Sequence, residues 1–556
     1  MGDTQSIFGP EGYKPGKTKY VIVVGTVMSG LGKGIFAGGL ARVLQGAGLT
    51  VAPIKLEGYL NMDAGTLNPI RHGEVFVLDD GTECDMDLGN YERLLNQDLT
   101  TANFATSGQI LASVLERERS GGYLGRDVQV IPHVTGEVKL RLRTLATASD
   151  ADIVFVEIGG TVGDLENGTY IEACRQLAAE EGEGNVCFIA LTYIPAPPTL
   201  GEQKSKPAQL GFRQLMSLGV MPDFIVARSS SKMTDSVKEK LSLFSGVSHD
   251  RVFGMHDVES ASLVPEMIGE SGIDASIAKI LGLRLPVRTT KDAYASSLRK
   301  SSATGHEVKI GIAGKYTALR DAYASVVHAL EHAAVDQVAS LKIEWLDTEE
   351  IDDDNVAMTL SQSGIDGLVV PGGFGLRGVA GKLACIRYAR ASLMPFLGLC
   401  YGFQLAAIEF ARNECGMDDA TSGEMDSDSS HRIIDMLPGQ SGQLGGTMRL
   451  GGGDISLRPG TLAASLYFDA PSCRQRFRHR YEFVSKYATA LESGGMVFSG
   501  TASDGSDVRQ ILEVPSHPFF LATQGHPELT SRPSYPEPMF RGFIRAVVQR
   551  AYPTKP

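Results

Sequence analysis

The chain has 556 residues, 43% apolar and 21% charged, too long for one ordinary domain and too apolar for a disordered chain; two to four domains are expected. Lys and Arg number 52 against 65 Asp and Glu, a formal charge of −13, which argues against non-specific nucleic-acid binding because that rests on cationic contacts to phosphates. The seven cysteines, Cys84, Cys174, Cys187, Cys385, Cys400, Cys415 and Cys473, are odd in number and form no C-x-x-C pair, which argues against a disulfide framework and a structural zinc site and for a reducing compartment.

From the N-terminus, Met1 to Tyr20 is polar and lacks the apolar stretch of a signal peptide. No uncharged apolar run reaches the roughly 18 residues of a membrane span. A cytoplasmic protein with no membrane partner is expected. Glycine is in excess, 64 residues, which predicts many tight turns and close backbone approaches to ligands. Tyr20–Gly25 reads as a strand, Gly34–Ala47 and Ile110–Arg119 as helices, and Thr50–Leu56, Asp152–Ile158, Val186–Leu191 and Phe224–Ala227 as further strands. Continuous apolar strands alternating with helices predict a parallel sheet covered on both faces. Leu285 to His306 holds Pro286, basic residues and several Ser and Thr without an apolar period, and reads as a linker. The same α/β grammar resumes in Val308–Gly314, Lys342–Leu346, Gly367–Val370 and Pro395–Leu399. Glu349–Asp354 reads as a solvated face, and Gly416 to Gln443 as an irregular acidic, serine-rich loop.

After Gly25 comes Thr26-Val-Met-Ser-Gly-Leu-Gly-Lys-Gly34. Strand, glycine-rich loop, lysine and helix make a phosphate cradle: backbone N–H groups and a helix N-terminus face the anion, and Lys33 adds charge. It is not a strict Walker A motif. Val27 stands where the first glycine belongs, and Gly34 replaces the hydroxyl residue that would hold Mg²⁺. Carboxylates must then hold the metal. Glu157, closing its strand, and Asp87 are candidates. The plainer readings are a surface lysine in a glycine-rich turn and a solvated aspartate.

Pro395-Phe-Leu-Gly-Leu-Cys400-Tyr-Gly-Phe-Gln404 reads as a strand, a cysteine among small residues, then a helix: a nucleophile elbow with Cys in place of Ser. A helix N-terminus favours the thiolate. In Gln524-Gly-His526-Pro-Glu528, His526 can take the thiol proton and Glu528 can fix its tautomer. Val370-Pro-Gly-Gly-Phe-Gly375 can offer N–H groups to an oxyanion. The competing reading of Cys400 is an inert buried thiol.

With these motifs assembled, the chain resembles the CTP synthase family, glutamine-dependent amidotransferases that convert UTP to CTP, from about Tyr20 to about Arg545. The resemblance is carried by Ser29–Gly34, His72–Val77 with Asp79–Gly81, Asp85–Gly89 with Tyr91–Arg93, Val128–His133, Gly159–Asp164, Lys204–Pro207, Pro371–Gly375, Leu444–Gly451 and Arg478–Glu482. It implies two α/β domains, an N-terminal P-loop-like parallel-sheet synthase domain over 20–284 and a C-terminal class I glutamine amidotransferase domain over 307–556. An extension (1–19) precedes them and a linker (285–306) joins them. It assigns ATP to Ser29, Gly30, Leu31, Gly32, Lys33 and Gly34, the phosphoryl-transfer region to Lys55, and Mg²⁺ to Asp87 and Glu157. UTP, or inhibitory CTP, falls to Ser29, His133, Asp164, Glu166, Lys204, Lys206 and Lys240. Cys400, His526 and Glu528 match the triad, Gly373 the oxyanion position, and Gln404, Glu424 and Arg478 the positions that hold glutamine. It further implies GTP activation, CTP feedback inhibition and a homotetramer, with filament assembly left open.

Four places depart from the family's usual residues: Lys55-Leu-Glu-Gly-Tyr59 for Lys-Leu-Asp-Pro-Tyr, Leu210 for a histidine, Leu376 for a tyrosine, and Gly525 for an aromatic beside the triad. Two other readings compete. One is a related amidotransferase, of cobyrinic acid amide synthase type, that amidates a carboxylate; the Lys204/Lys206 pair and the His133 segment argue against it. The other is a nucleotide-binding or filament-forming protein without catalysis; the intact Lys33, Asp87, Glu157, Cys400, His526 and Glu528 argue against it.

Overall fold

The run Tyr20–Val24 is almost wholly shielded from solvent because it is the middle strand of a parallel sheet with both faces covered. In the computed structural model, which describes residues 9–199, 201–287, 291–317, 319–436 and 448–553, the chain divides into two units. One comprises the chain up to Ala64 and Asn90–Ala295; the other comprises Gly65–Gly89 and the chain from Ser296 onward.

In the first unit the strands are β1 (Lys19–Gly25), β2 (Val51–Glu57), β3 (Phe104–Thr106), β4 (Ile153–Ile158), β5 (Val186–Tyr193), β6 (Phe224–Ser229) and β7 (Val252–His256). They lie in the order β3-β2-β4-β1-β5-β6-β7 and pair in parallel. Register puts Val23 of β1 and Lys55 of β2 on either side of Glu157 of β4. These residues therefore meet at the carboxyl edge of the sheet, where open α/β sheets bind ligands. Helix α1 (Lys33–Gly46) follows β1 and buries Phe36, Leu40 and Leu44, a four-residue spacing that gives one apolar stripe.

The second unit is built on β8 (His306–Gly314), β9 (Ala339–Asp347), β10 (Gly367–Val370), β11 (Phe396–Leu399), β12 (Arg449–Leu457), β13 (Ser472–His479), β14 (Val497–Ala502), β15 (Arg509–Glu513) and β16 (Phe520–Thr523). Their order is β9-β8-β10-β11-β16-β15-β14-β12-β13. The half from β9 to β16 is parallel and the rest antiparallel. Sequence reading anticipated only the parallel half. The antiparallel strands carry fewer unbroken apolar runs because their polar residues alternate outward. Separate apolar clusters pack on its two faces, one around Phe403, Ile408 and Phe410, the other around Leu330, Phe540 and Phe543.

Two segments hold more regular structure than their composition suggests. The segment read as a linker contains a helix, Ala293–Thr304. Its start is capped by Asp292, whose Oδ1 accepts the N–H groups of Tyr294 (2.8 Å) and Ala295 (3.1 Å), an N-cap signal that the serine-rich composition masked. The acidic loop at 416–443 contains the strands Thr421–Ser422 and Arg432–Met436, which join Tyr481–Phe483 in a small sheet; positions 437–443 lie outside the described residues, as do 444–447 of the Leu444–Gly451 motif. All seven cysteines are free. Among the described residues no helix is long and apolar enough to cross a membrane.

Candidate active site

The loop after β1 is built by backbone conformations that side chains resist. Val27, Gly30 and Gly32 have φ of 78°, 71° and 78°, and Gly32 ends the loop in the left-handed region as the cap of α1. Two glycines relieve most of the steric cost, and Val27 carries the remaining strain. Lys33, buried at the start of α1, donates from Nζ to the Gly160 carbonyl at 2.8 Å. Arg228 braces the other side, bonding Leu31 O at 3.0 Å and Asp257 at 2.9 Å; sequence reading missed this arginine because its partners are remote in the chain. Gly30 and Ser29 are exposed. The loop's N–H groups, helix terminus and lysine fit a polyphosphate.

Next to it, Lys55 Nζ lies 3.0 Å from Glu157 Oε1 and 3.3 Å from Glu57 Oε1. The other oxygen of Glu157 accepts the Tyr91 hydroxyl. Glu57 and Glu157 thus set two carboxylates around one buried ammonium, an all-oxygen donor set of the kind that suits Mg²⁺. Asp87, the other Mg²⁺ candidate, belongs to the second unit, in the first turn of the helix Met86–Leu95. Among the described residues no cluster of three metal-ligating side chains occurs.

The residues assigned to UTP are spread along the same unit. Asp164 and Glu166 are exposed in the turn after β4, where Asp164 accepts the Thr161 N–H at 2.7 Å. Glu166 packs against Gly58: a Cβ there would lie 2.9 Å from Glu166 Cβ. His133 is buried, its Nδ1 accepting the Gln129 N–H at 3.0 Å and its ring edge-on to Tyr123. Lys204 pairs with Glu202, Lys206 lies 5.9 Å from the Phe244 ring, and Lys240 is exposed on the helix Asp235–Ser245.

In the second unit, Cys400 sits between β11 and helix α2 (Tyr401–Glu414) with φ 49° and ψ −97°. A non-glycine residue in that region is strained, as a nucleophile elbow requires. Gly402 permits the turn: a Cβ there would collide with the Val370 carbonyl. The N–H of Cys400 donates to Thr523 O on β16 at 2.7 Å, which brings the C-terminal Gln524–Glu528 stretch to the thiol. His526 Nδ1–H donates to Glu528 Oε1 at 2.7 Å, and His526 and Cys400 line the same cavity. Burial opposes charge on His526, but Glu528 and Cys400 outweigh it and hold the imidazole well above its ordinary pKa. A nucleophile, base and orienting carboxylate are therefore in line.

The Pro371–Gly375 loop lies against this triad. A Cβ on Gly372 would stand 2.9 Å from His526 Cε1 and 3.6 Å from Cys400 Cβ. Gly375 is clamped from both sides: its N–H donates to Glu424 Oε1 at 2.9 Å and its carbonyl accepts the Tyr401 hydroxyl at 2.9 Å. Glu424 is thus engaged with the loop. Gln404 is buried and donates to Tyr481 O (2.8 Å) and Gln524 Oε1 (3.1 Å), and Gln524 Nε2 donates to Cys400 Sγ at 3.5 Å. The Arg478 carbonyl faces Cys400 Sγ at 3.9 Å, while its guanidinium holds Glu83 Oε1 at 2.6 Å and Gly65 O at 2.9 Å. These groups line a cavity of about 530 Å³ that includes Cys400, His526, Glu528, Gly373, Glu424 and Arg478. Gly372 and Gln524 are site residues not singled out from sequence; their adjacency to Gly373 and His526 was the available signal.

Residues 19–283 match the family model described as CTP synthase N-terminus, and residues 318–546 match the class I glutamine amidotransferase model. The CTP synthase of Thermococcus gammatolerans is 46% identical over 538 residues, 96% of this chain and 99% of that protein. The chain belongs to the CTP synthase family. The CTP synthase of Thermococcus kodakarensis is 45% identical with the same coverage. Among solved structures, the chain is similar to the Trypanosoma brucei CTPS glutaminase domain with bound acivicin, at 35% identity over 44% of this chain and 94% of that one, with a TM-score of 0.41. Against the usual CTP synthase pattern, the departures have identifiable surroundings. Glu57 reaches Lys55. Gly58 admits Glu166. At Gly525 the space a side chain would take is filled by Gln475, whose Cβ would lie 2.9 Å away. Leu210 and Leu376 are exposed, and nothing in the structure explains either.

Proposed function

We propose that this chain is an ATP-dependent ligase that aminates UTP to CTP with ammonia from glutamine, the last step of de novo pyrimidine nucleotide synthesis. The carrying observation is the relationship to CTP synthases along 96% of the chain. The division of labour is a synthase domain over 20–284 and a glutaminase domain over 307–556, joined through 285–306 and preceded by the extension 1–19.

In the glutaminase half, Cys400 attacks the glutamine amide carbon, His526 takes the thiol proton and passes it to the leaving ammonia, and Glu528 holds the imidazole. The N–H of Gly373 faces the developing oxyanion. Glutamine's amino acid end is held by Gln404, Glu424 and Arg478; Glu424 already accepts the Gly375 N–H (2.9 Å) and the Arg478 guanidinium already binds Glu83 (2.6 Å), and each keeps further acceptor or donor sites for glutamine. In the synthase half, Ser29–Gly34 with Lys33 hold the ATP phosphates and Lys55 lies beside the transferred phosphoryl group. The uracil O4 is phosphorylated, phosphate becomes the leaving group, and ammonia replaces it. Asp87 and Glu157 would hold Mg²⁺, which would offset phosphate charge. His133, Asp164, Glu166, Lys204, Lys206 and Lys240, with Ser29, form the site for UTP and for inhibitory CTP. Activation by GTP, a homotetramer and a cytoplasmic location complete the reading.

The test is CTP formation by the purified protein with UTP, ATP and Mg²⁺, run with glutamine and, separately, with ammonium salt at alkaline pH, each with and without GTP. Product from both nitrogen sources is expected. No product from either, in folded protein that binds UTP, would overturn the reading.

A further inference from the structure

Behind the oxyanion loop stands a charged residue that the mechanism above does not use. Lys382 is the fourth residue of the helix Val379–Ala391. Its side chain is fully buried, and its Nζ has no hydrogen-bond partner among the described residues. An unpaired buried amine is costly and calls for an explanation.

Its surroundings supply one. Consecutive positions of the loop face opposite ways: a Cβ on Gly372 would point at His526 and Cys400, whereas a Cβ on Gly373 would point at Lys382 Nζ, 3.4 Å away. The amine also lies 5.1 Å from the ring centroid of Tyr401, the residue after the nucleophile. The loop thus separates the triad from the lysine. In a trans peptide the N–H and C=O point in opposite directions. When the Gly372–Gly373 peptide turns its N–H to the thiol side, its carbonyl turns to the side of Lys382.

We propose that Lys382 is a positioning residue of the oxyanion loop, its amine donating to the loop carbonyl that turns inward when the Gly373 N–H is presented to the oxyanion. This rests on the reading of Cys400 as the glutaminase nucleophile. A carbonyl two residues further along the loop is held in a similar way: Lys315 Nζ donates to Phe374 O and lies 4.5 Å from the Phe374 ring centroid. Burial, with Lys315 close by, lowers the Lys382 amine to a pKa of about 7. Charged or neutral, the amine keeps N–H donors.

The test is Lys382→Met in the full-length protein, a change that keeps length and removes the donor. The kcat for glutamine hydrolysis is expected to fall about tenfold or more, with KM for glutamine within about twofold, since the interaction forms only as charge develops on the oxygen. Alkylation of Cys400 by iodoacetamide, which needs no oxyanion hole, and ammonia-dependent CTP formation are expected to stay within about twofold of the parent. The unfolding temperature is expected to hold or rise, because an unpaired buried amine is removed. An unchanged kcat would overturn the proposal. So would a parallel loss of alkylation rate and ammonia-dependent activity, which would indicate general damage. Parent protein that hydrolyses no glutamine at all would instead overturn the reading of Cys400.

Discussion

At the scale of single residues, the glutaminase site is shaped by where side chains are missing. Gly372 lies so close to His526 Cε1 that one methyl group must displace the imidazole. Gly372→Ala is expected to lower glutamine hydrolysis by about 10²-fold, the cost of misplacing a base by about an ångström, while ammonia-dependent CTP formation persists. Equal hydrolysis by variant and parent would show that the loop yields more easily than its packing indicates. Gly525 is a different case. Gln475 fills the space beside it and donates to Tyr467 at 3.3 Å while accepting the Thr523 hydroxyl at 2.6 Å. Introducing the family's usual aromatic, Gly525→Phe, is expected to cost about 1–3 kcal/mol by overpacking, read by chemical denaturation. A neutral or stabilising result would mean that Gln475 swings clear.

At the scale of elements, the C-terminal helix α3 (Pro538–Ala551) starts on a buried carboxylate. Glu537 accepts the N–H groups of Met539 (2.8 Å) and Phe540 (3.3 Å) and the hydroxyl of Tyr467. Burial raises its pKa to about 7, against the opposing pull of Tyr467 and those N–H groups. The folded state therefore holds a proton that the unfolded chain releases between about pH 4.5 and 7. The contribution of Glu537 to stability is full below the ordinary carboxylate range and is lost as pH rises through about 7. The whole shift corresponds to about 3 kcal/mol. Relative to Glu537→Gln, the parent is expected to be more favoured at pH 5 than at pH 8 in thermal unfolding. A difference that does not change with pH would show that Glu537 ionises normally.

At the scale of the whole molecule, two sets of chemistry lie on two sheets, and their separability is the main prediction. Cys400→Ala is expected to abolish glutamine-dependent CTP formation and leave ammonia-dependent formation within about twofold, because the thiol serves only amide hydrolysis. Lys33→Ala is expected to abolish both, since both need the phosphate loop. Loss of both activities in folded Cys400→Ala protein, or ammonia-driven synthesis surviving in Lys33→Ala, would break this division. The second unit also takes in residues 65–89 from the first half of the chain. Asp79 pairs with Arg474 at 2.7 Å, Glu83 with Arg478 at 2.6 Å, the Val77 carbonyl accepts Arg476 at 3.0 Å, and Glu74 accepts the Ser325 N–H at 2.9 Å. The Glu83 pair counts most for stability, because Glu83 is buried and a buried carboxylate needs its partner, whereas exposed pairs such as Asp79–Arg474 contribute little.

The sequence alone determined the features that local chemistry dictates. The apolar runs from Tyr20 to Gly25 and from Pro395 to Leu399 read as buried strands because no polar residue interrupts them. The glycines around Lys33 read as a loop because glycine takes left-handed angles at little steric cost, and those around Cys400 read as a turn because glycine lets backbone approach closely. His526-Pro-Glu528 read as base and orienting carboxylate because the two lie two residues apart. Partnerships set by distant parts of the chain were decided only in the tertiary structure. The antiparallel half of the second sheet, the allegiance of residues 65–89 to the second unit, Gln475 behind Gly525, the Arg478–Glu83 pair and the buried amine of Lys382 under Gly373 depend on residues up to about 400 positions apart in the chain. Side-chain identity states what a residue can donate, accept or bury. Which neighbour receives it depends on how the sheets and helices pack, and that information is spread over the whole chain.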